Sequence, residues 1–234
     1  MEINRLTFGV RFNRSFRIPD ISGYIIDDII ADPKSPFKEK FFSEVYQDPS
    51  GRQKMLASKG VEDENPNRYL KINSDDLILS FKFSHDDFEI KFNWLKNDVL
   101  VYLQKIFREY KINNIQRIGV IFSHQLKNLE KLDKAVSDFS DQHIKNATDL
   151  NLSFSKKIIV PEAQVLVDVN DFQNTIYTFN SNQDGHLVQL DFQHYYNPVI
   201  ADFRECKAEK VLDSAKLFLE NNFYPWIKDY GDKK

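Results

Sequence analysis

Apolar and polar positions alternate along Leu6-Thr7-Phe8-Gly9-Val10-Arg11-Phe12, the period of a strand with one buried face. After Pro19, Asp20 is placed to cap a helix whose apolar positions Ile21, Tyr24, Ile25 and Ile29 recur at helical spacing, and Pro33 and Pro36 end it. Phe41 to Val45 and Gln53 to Ala57 read as a hairpin about the turn Asp48-Pro49-Ser50-Gly51, and the acidic run from Gly60 to Asn67 reads as a loop. Tyr69 to Ile72 and Leu77 to Phe83 predict two more strands, joined by Asn73-Ser74-Asp75-Asp76. Phe88-Glu89-Ile90-Lys91-Phe92 alternates and predicts another strand. Asn93 would then cap a helix through about Tyr110, with Leu95, Val99, Tyr102, Leu103, Ile106, Phe107 and Tyr110 inward. Asn113-Asn114 breaks that helix before a strand from Ile115 to Phe122.

The second half repeats the plan. Residues 129–145 have a weakly amphipathic helical pattern. Leu150 to Val160, Ala163 to Val169, Thr175 to Phe179 and Leu187 to Tyr195 read as strands, with a loop from Asn180 to Gly185. A final helix from about Arg204 to Asn222 lines up Ala208, Val211, Leu212, Ala215, Phe218 and Leu219. The expected fold is α+β: antiparallel sheets, each covered by a long amphipathic helix. The halves, 1–122 and 123–234, pack as one globular unit and suggest an internal duplication of a strands-then-helix unit.

Composition narrows the function. With 41% hydrophobic and 29% charged residues in 234, the chain can build a core, and its apolar runs are too short for a membrane helix. A net charge of −3 excludes a global polycation, yet eight of the nine arginines lie in the first half. The seven glycines are scattered singly, so neither G-x-G-x-x-G nor a phosphate loop can be assembled, and no cofactor is expected. Cys206 is the sole cysteine, which excludes an intrachain disulfide. The segment Met1-Glu2-Ile3-Asn4-Arg5 lacks the apolar stretch of a secretion signal, so the expected location is cytoplasmic.

One pattern is familiar. Trp94, a long helix, Tyr110 and then Ile115-Gln116-Arg117-Ile118-Gly119-Val120-Ile121-Phe122 resemble a sporadically distributed bacterial family of uncharacterised proteins. Phe8-Gly9-Val10-Arg11-Phe12 is similar to that family's first strand, and Leu190-Asp191-Phe192 to its last. Arg117-Ile118-Gly119 is the most specific part. The chain departs from the pattern at Ile121, where Arg is usual, at Ser123 or His124, where Asn is usual, and at Gln193, where a second Asp is usual. The family has no established activity; its distribution implies an accessory or defence-associated bacterial system.

Candidate chemistry is sparse. None of the five histidines forms an H-E-x-x-H pair. His85-Asp86-Asp87 is the nearest thing to a metal cluster, and its composition suits a turn equally well. Asp191 and His194 point to opposite faces of a strand, because their separation is odd. Cys206, beside Arg204 and Lys207 at a helix start, has neighbours that can lower a thiol pKa, but no cysteine-enzyme motif surrounds it. No catalytic or metal residue is assigned.

The arginines stand out. Arg5, Arg11, Arg14 and Arg17 precede the first acid after them, Asp20, and Arg5 and Arg11 share the strand face opposite Phe8, Val10 and Phe12. Arg11, Arg14 and Arg17 are the candidate binding residues, for an acidic protein or a phosphate. Asn222-Phe223-Tyr224-Pro225-Trp226 closes the last helix as an aromatic lock or a docking patch. The expected function is a non-enzymatic binding or assembly module acting with a protein partner or as a homo-oligomer. The alternative is RNA or DNA binding through the arginine-bearing first strand.

Overall fold

The computed structural model describes residues 2–37, 44–47, 54–57, 68–126, 150–159, 170–182 and 185–225. The protein is α+β. Among the described residues, nine strands form one antiparallel sheet: β1 (Glu2–Phe12), β2 (Glu44–Gln47), β3 (Lys54–Ala57), β4 (Arg68–Ile72), β5 (Asp76–Lys82), β6 (Ile115–Leu126), β7 (Leu150–Ile159), β8 (Phe172–Asn182) and β9 (Gly185–Ile200). Their order across the sheet is β2-β3-β4-β5-β1-β6-β9-β8-β7. Strands of both halves therefore join a single sheet, and β6 runs through residue 122. The sequence readings over 60–67, 129–145 and 163–169, and the turn over 48–51, lie outside the described residues.

The alternation of β1 sorts its side chains. Leu6, Phe8, Val10 and Phe12 are buried, while Arg5, Thr7 and Arg11 lie on the other face. β6 does the same with Ile118, Val120, Phe122 and His124 on the buried side. Against that side lie α1 (Arg17–Ala31), α2 (Phe88–Trp94), α3 (Leu100–Glu109) and α4 (Ala208–Phe218). Leu103, Ile106, Phe107, Val211, Leu212 and Ala215 belong to the same core as the inward strand residues. Phe107 is a junction: its ring meets Phe12 edge-on at 6.0 Å and lies 4.6 Å from Phe203.

Three elements differ from their sequence reading. Phe88 to Phe92 is a helix, not a strand. Phe88, Phe92 and Leu95 are buried at spacings of four and three residues, while Ile90 is 70% exposed. The alternation of Phe88, Ile90 and Phe92 equally contains an i, i+4 pair, and packing on the sheet selects the latter. The helix continues past Asn93 through one π turn, Leu95–Val99, into α3. That wider turn brings Leu100 inward beside Val99. α1 begins at Arg17 rather than after Pro19, which its first turn tolerates. It buries Ile18, Ser22, Ile25, Ile26 and Ile29, and Tyr24 faces outward. The loop expected at 180–185 shrinks, because β8 and β9 stay paired to Asn182 and Gly185.

Cys206 ends a 3-10 turn, Phe203–Cys206, ahead of α4. Its thiol is fully buried, and burial raises its pKa, the opposite of an activated nucleophile. Phe223 is buried against His124, 5.3 Å between ring centres, so this part of the closing aromatic segment packs as a lock.

Candidate functional site

Opposite the helices, the other sheet face carries no helix among the described residues. Its side chains form rows that follow the register. One row reads Asp76, Arg11, Arg117, Tyr195 and Phe172 across β5, β1, β6, β9 and β8. The next reads Lys71, Ile78, Gly9, Gly119, Gln193, Asn174 and Lys157, and a third contains Tyr69, Ser80, Thr7, Ile121 and Asp191. In the middle row two glycines face each other. They floor a hollow of about 110 Å³ whose rim includes Thr7, Arg11, Ile78, Arg117, Asp191 and Gln193.

A chain of hydrogen bonds orders the β9 wall. Arg117 Nη1 donates to the Tyr195 hydroxyl at 3.0 Å, Tyr195 Oη donates to Gln193 Oε1 at 2.8 Å, and Gln193 Nε2 donates to Asp191 Oδ2 at 2.5 Å. Tyr195 also stacks on Phe172, 4.5 Å between centres and 8° between planes. Burial raises the pKa of Asp191, and the bond from Gln193 and the charge of Arg117 oppose it. Asp76 is likewise raised by burial, against a bond from Asn73. Among the residues of this face whose side chains are described, Arg5, Arg11, Lys71, Lys82, Arg117 and Lys157 outnumber Asp76 and Asp191, although the chain as a whole is acidic.

The three candidate arginines occupy three settings. Arg11 is on the open face and bonds Asp75 Oδ2 at 3.2 Å. Arg14, in the following loop, approaches the same carboxylate at 3.9 Å. Arg17 starts α1, and its Nη2 donates to the backbone carbonyl of Tyr110 at 2.7 Å, where α3 ends. Only Arg11 borders the hollow.

Arg117 is the residue that sequence reasoning passed over as a site. The signal was available: in Arg117-Ile118-Gly119 the odd positions share the face of Arg11, and only Ile118 enters the core. The same parity sends Gly119 to the open face, away from the helices. Asp191 and His194 do point to opposite faces. His194 is buried, with Nε2 at 3.2 Å from Asp171 Oδ2, and desolvation lowers its pKa against the pull of Asp171. Asp86 and Asp87 open the helix, and Asp87 Oδ2 accepts from Lys91 at 3.2 Å. Among the described residues, no group of three or more His, Cys, Asp or Glu could hold a metal ion. A second concavity of about 690 Å³ lies between the segment after α1 and α2–α3, where Lys105 Nζ meets Asp32 at 2.6 Å.

The described residues define an α+β protein with an antiparallel sheet, their helices on one side of it and a polar, cation-bearing surface on the other. No family model matches the chain, and no curated protein matches it. No helix among the described residues is long and apolar enough to cross a membrane.

Proposed function

We propose that the protein is a non-enzymatic binding module that docks a protein partner on its open sheet face. The observation that carries this reading is the hollow with its ordered rim, on the one broad face the described helices leave uncovered. A preformed concavity lined by two arginines, two aspartates, an amide and aliphatic side chains suits a directed contact on a broad surface. Arginine 11 contributes to it, whereas Arg14 and Arg17 serve the loop and the α1–α3 junction.

Nucleic-acid binding is the second reading, and one feature favours it: cations lie near aromatic rings on the same face. Arg5 is 5.9 Å from the Tyr69 ring centre, Arg117 is 5.4 Å from Tyr195, and Lys157 is 3.8 Å from Phe172. Asp76 and Asp191 in the middle of the surface oppose a continuous run of phosphates, which favours the protein partner.

Cross-linking of the tagged full chain in its source cells separates these readings. Protein cross-links through Lys71, Lys82 and Lys157 support docking on the open face; cross-links confined to helix-side Lys111 and Lys210 contradict it. Salt-sensitive anisotropy changes with a fluorescein-labelled dT12 or U12 oligonucleotide would support the second reading instead.

We also read the chain as two related halves. β1 and β6 pair antiparallel at the middle of the sheet, with Gly9 opposite Gly119. From that centre, β5, β4 and β3 on one side answer β9, β8 and β7 on the other. This supports a duplicated strands-then-helix unit, with the second copy starting at β6 rather than after residue 122, where the sequence reading divided the halves.

A further inference from the structure

We infer that the hollow over Gly9 and Gly119 receives a single Glu or Asp side chain of the docking protein, its carboxylate clasped between Arg11 and Arg117. This rests on the open-face reading and names the chemistry of the partner's contact.

Arg11 and Arg117 are direct cross-strand partners, an arrangement of like charges that costs stability in a sheet. Each spends little of its donor capacity on the protein. Arg11 donates to Asp75 and Arg117 to Tyr195, and a guanidinium fork has further N–H groups to give. An anion between them removes the repulsion and uses two forks at once.

The space is there because two side chains are missing. Neither Gly9 nor Gly119 has the positive φ that only glycine adopts readily. A Cβ on Gly9 would meet nothing closer than Leu77 O at 3.9 Å, and one on Gly119 nothing closer than Phe192 O at 3.8 Å. The backbone therefore tolerates alanine at both positions, and glycine leaves the hollow. Two residues along a strand span about 6.7 Å. A Glu side chain can thus lay its methylenes over the glycines, beside Ile78 and Ile121, and reach the arginine row.

The acids around the hollow select the source of the anion. Asp75, Asp76 and Asp191 flank the arginines, so a polyphosphate chain meets repulsion on either side of its contact. A lone carboxylate brings one charge near these acids instead of a charge on either side of the contact, and neighbouring backbone or side-chain donors of its polypeptide can bond to Asp191 and Gln193.

The test is a nitrogen-detected NMR titration of the full chain. It follows the amides of Gly9 and Gly119 and the Nε–H groups of Arg11 and Arg117. The probes are acetyl-Ala-Glu-Ala-amide, its Gln counterpart, and dT12, with peptides carried to about 10 mM because one contact of this kind gives millimolar affinity. The expected result is a saturable shift with the Glu peptide that is at least five-fold weaker with the Gln peptide. Gly119→Ala should weaken it five-fold or more with the melting temperature unchanged, and Arg117→Lys should do so through loss of the fork. Equal response to both peptides, or Glu binding indifferent to both substitutions, overturns the inference. So does dT12 binding at the same resonances that Gly119→Ala abolishes, since the anion would then be a phosphodiester. Open-face cross-links to a protein in cells that survive Gly119→Ala would sink the carboxylate contact alone and leave the docking face standing.

Discussion

Gly9 and Gly119 lie directly opposite each other on the adjacent central strands β1 and β6. The absence of side chains there leaves a depression, with Arg11 and Arg117 side by side at one end. Behind the glycines, on the helix side, the same two strands contribute Phe8, Val10, Ile118 and Val120 to the core. One register thus serves stability on one face and recognition on the other.

Phe107 tests the core. Its ring is buried between Phe12 and Phe203, so Phe107→Ala leaves a large cavity and should cost about 3–5 kcal/mol in urea or thermal unfolding. A melting transition that does not move would show that α3 does not pack as described.

Ile90 and Phe92 test the helix over 88–94. Ile90→Glu should change stability by no more than about 0.5 kcal/mol, because the side chain is in solvent. Phe92→Ala should cost about 3–5 kcal/mol. Comparable losses at both positions would restore the strand.

The history of that segment shows what was legible. Long elements with an unambiguous period, such as β1, β6, α3 and α4, follow from the sequence to within a few residues at one or both ends. Phe88 to Phe92 does not, because five residues with apolar positions 88, 90 and 92 satisfy both periods and only tertiary packing decides. The candidate site was half legible. The parity of Arg5 and Arg11 places them on the open face, yet Arg17 carries the same signal in the chain and turns instead to the Tyr110 carbonyl, across 93 positions of sequence. Pairing between distant strands, which sets Arg117 beside Arg11, has no local signature.

Arg17 and Arg14 should separate in a stability assay. Arg14→Ala removes a long, exposed contact and should move stability by about 0–0.5 kcal/mol. Arg17→Ala removes a charged donor from the end of α3 and should cost about 1 kcal/mol. An equal, negligible effect of both would remove Arg17 from the α1–α3 junction.

His124 should make the fold acid-sensitive. Both ring nitrogens are buried without a hydrogen-bond partner, and burial, with a smaller contribution from the N-terminal charge, lowers its pKa from 6.5 to about 3. The folded state therefore binds this proton less readily than the unfolded chain. Its contribution is fully present above pH 6.5 and is lost as the pH falls from there toward 3. Denaturant unfolding at a series of pH values checks this: His124→Phe should flatten the loss between pH 6.5 and 4. A variant with the same acid slope as the parent would show that other groups set it.

The most direct measurement of open-face docking is hydroxyl-radical footprinting of the full chain in its source cells and in purified form. Docking on the open face should leave Tyr69, Phe172 and Tyr195 less oxidised in cells than in the purified chain, while Phe16, Tyr24 and Ile90, away from that face, react equally in both. Equal labelling of Tyr69, Phe172 and Tyr195 in the two settings, or protection confined to Phe16, Tyr24 and Ile90, would contradict it.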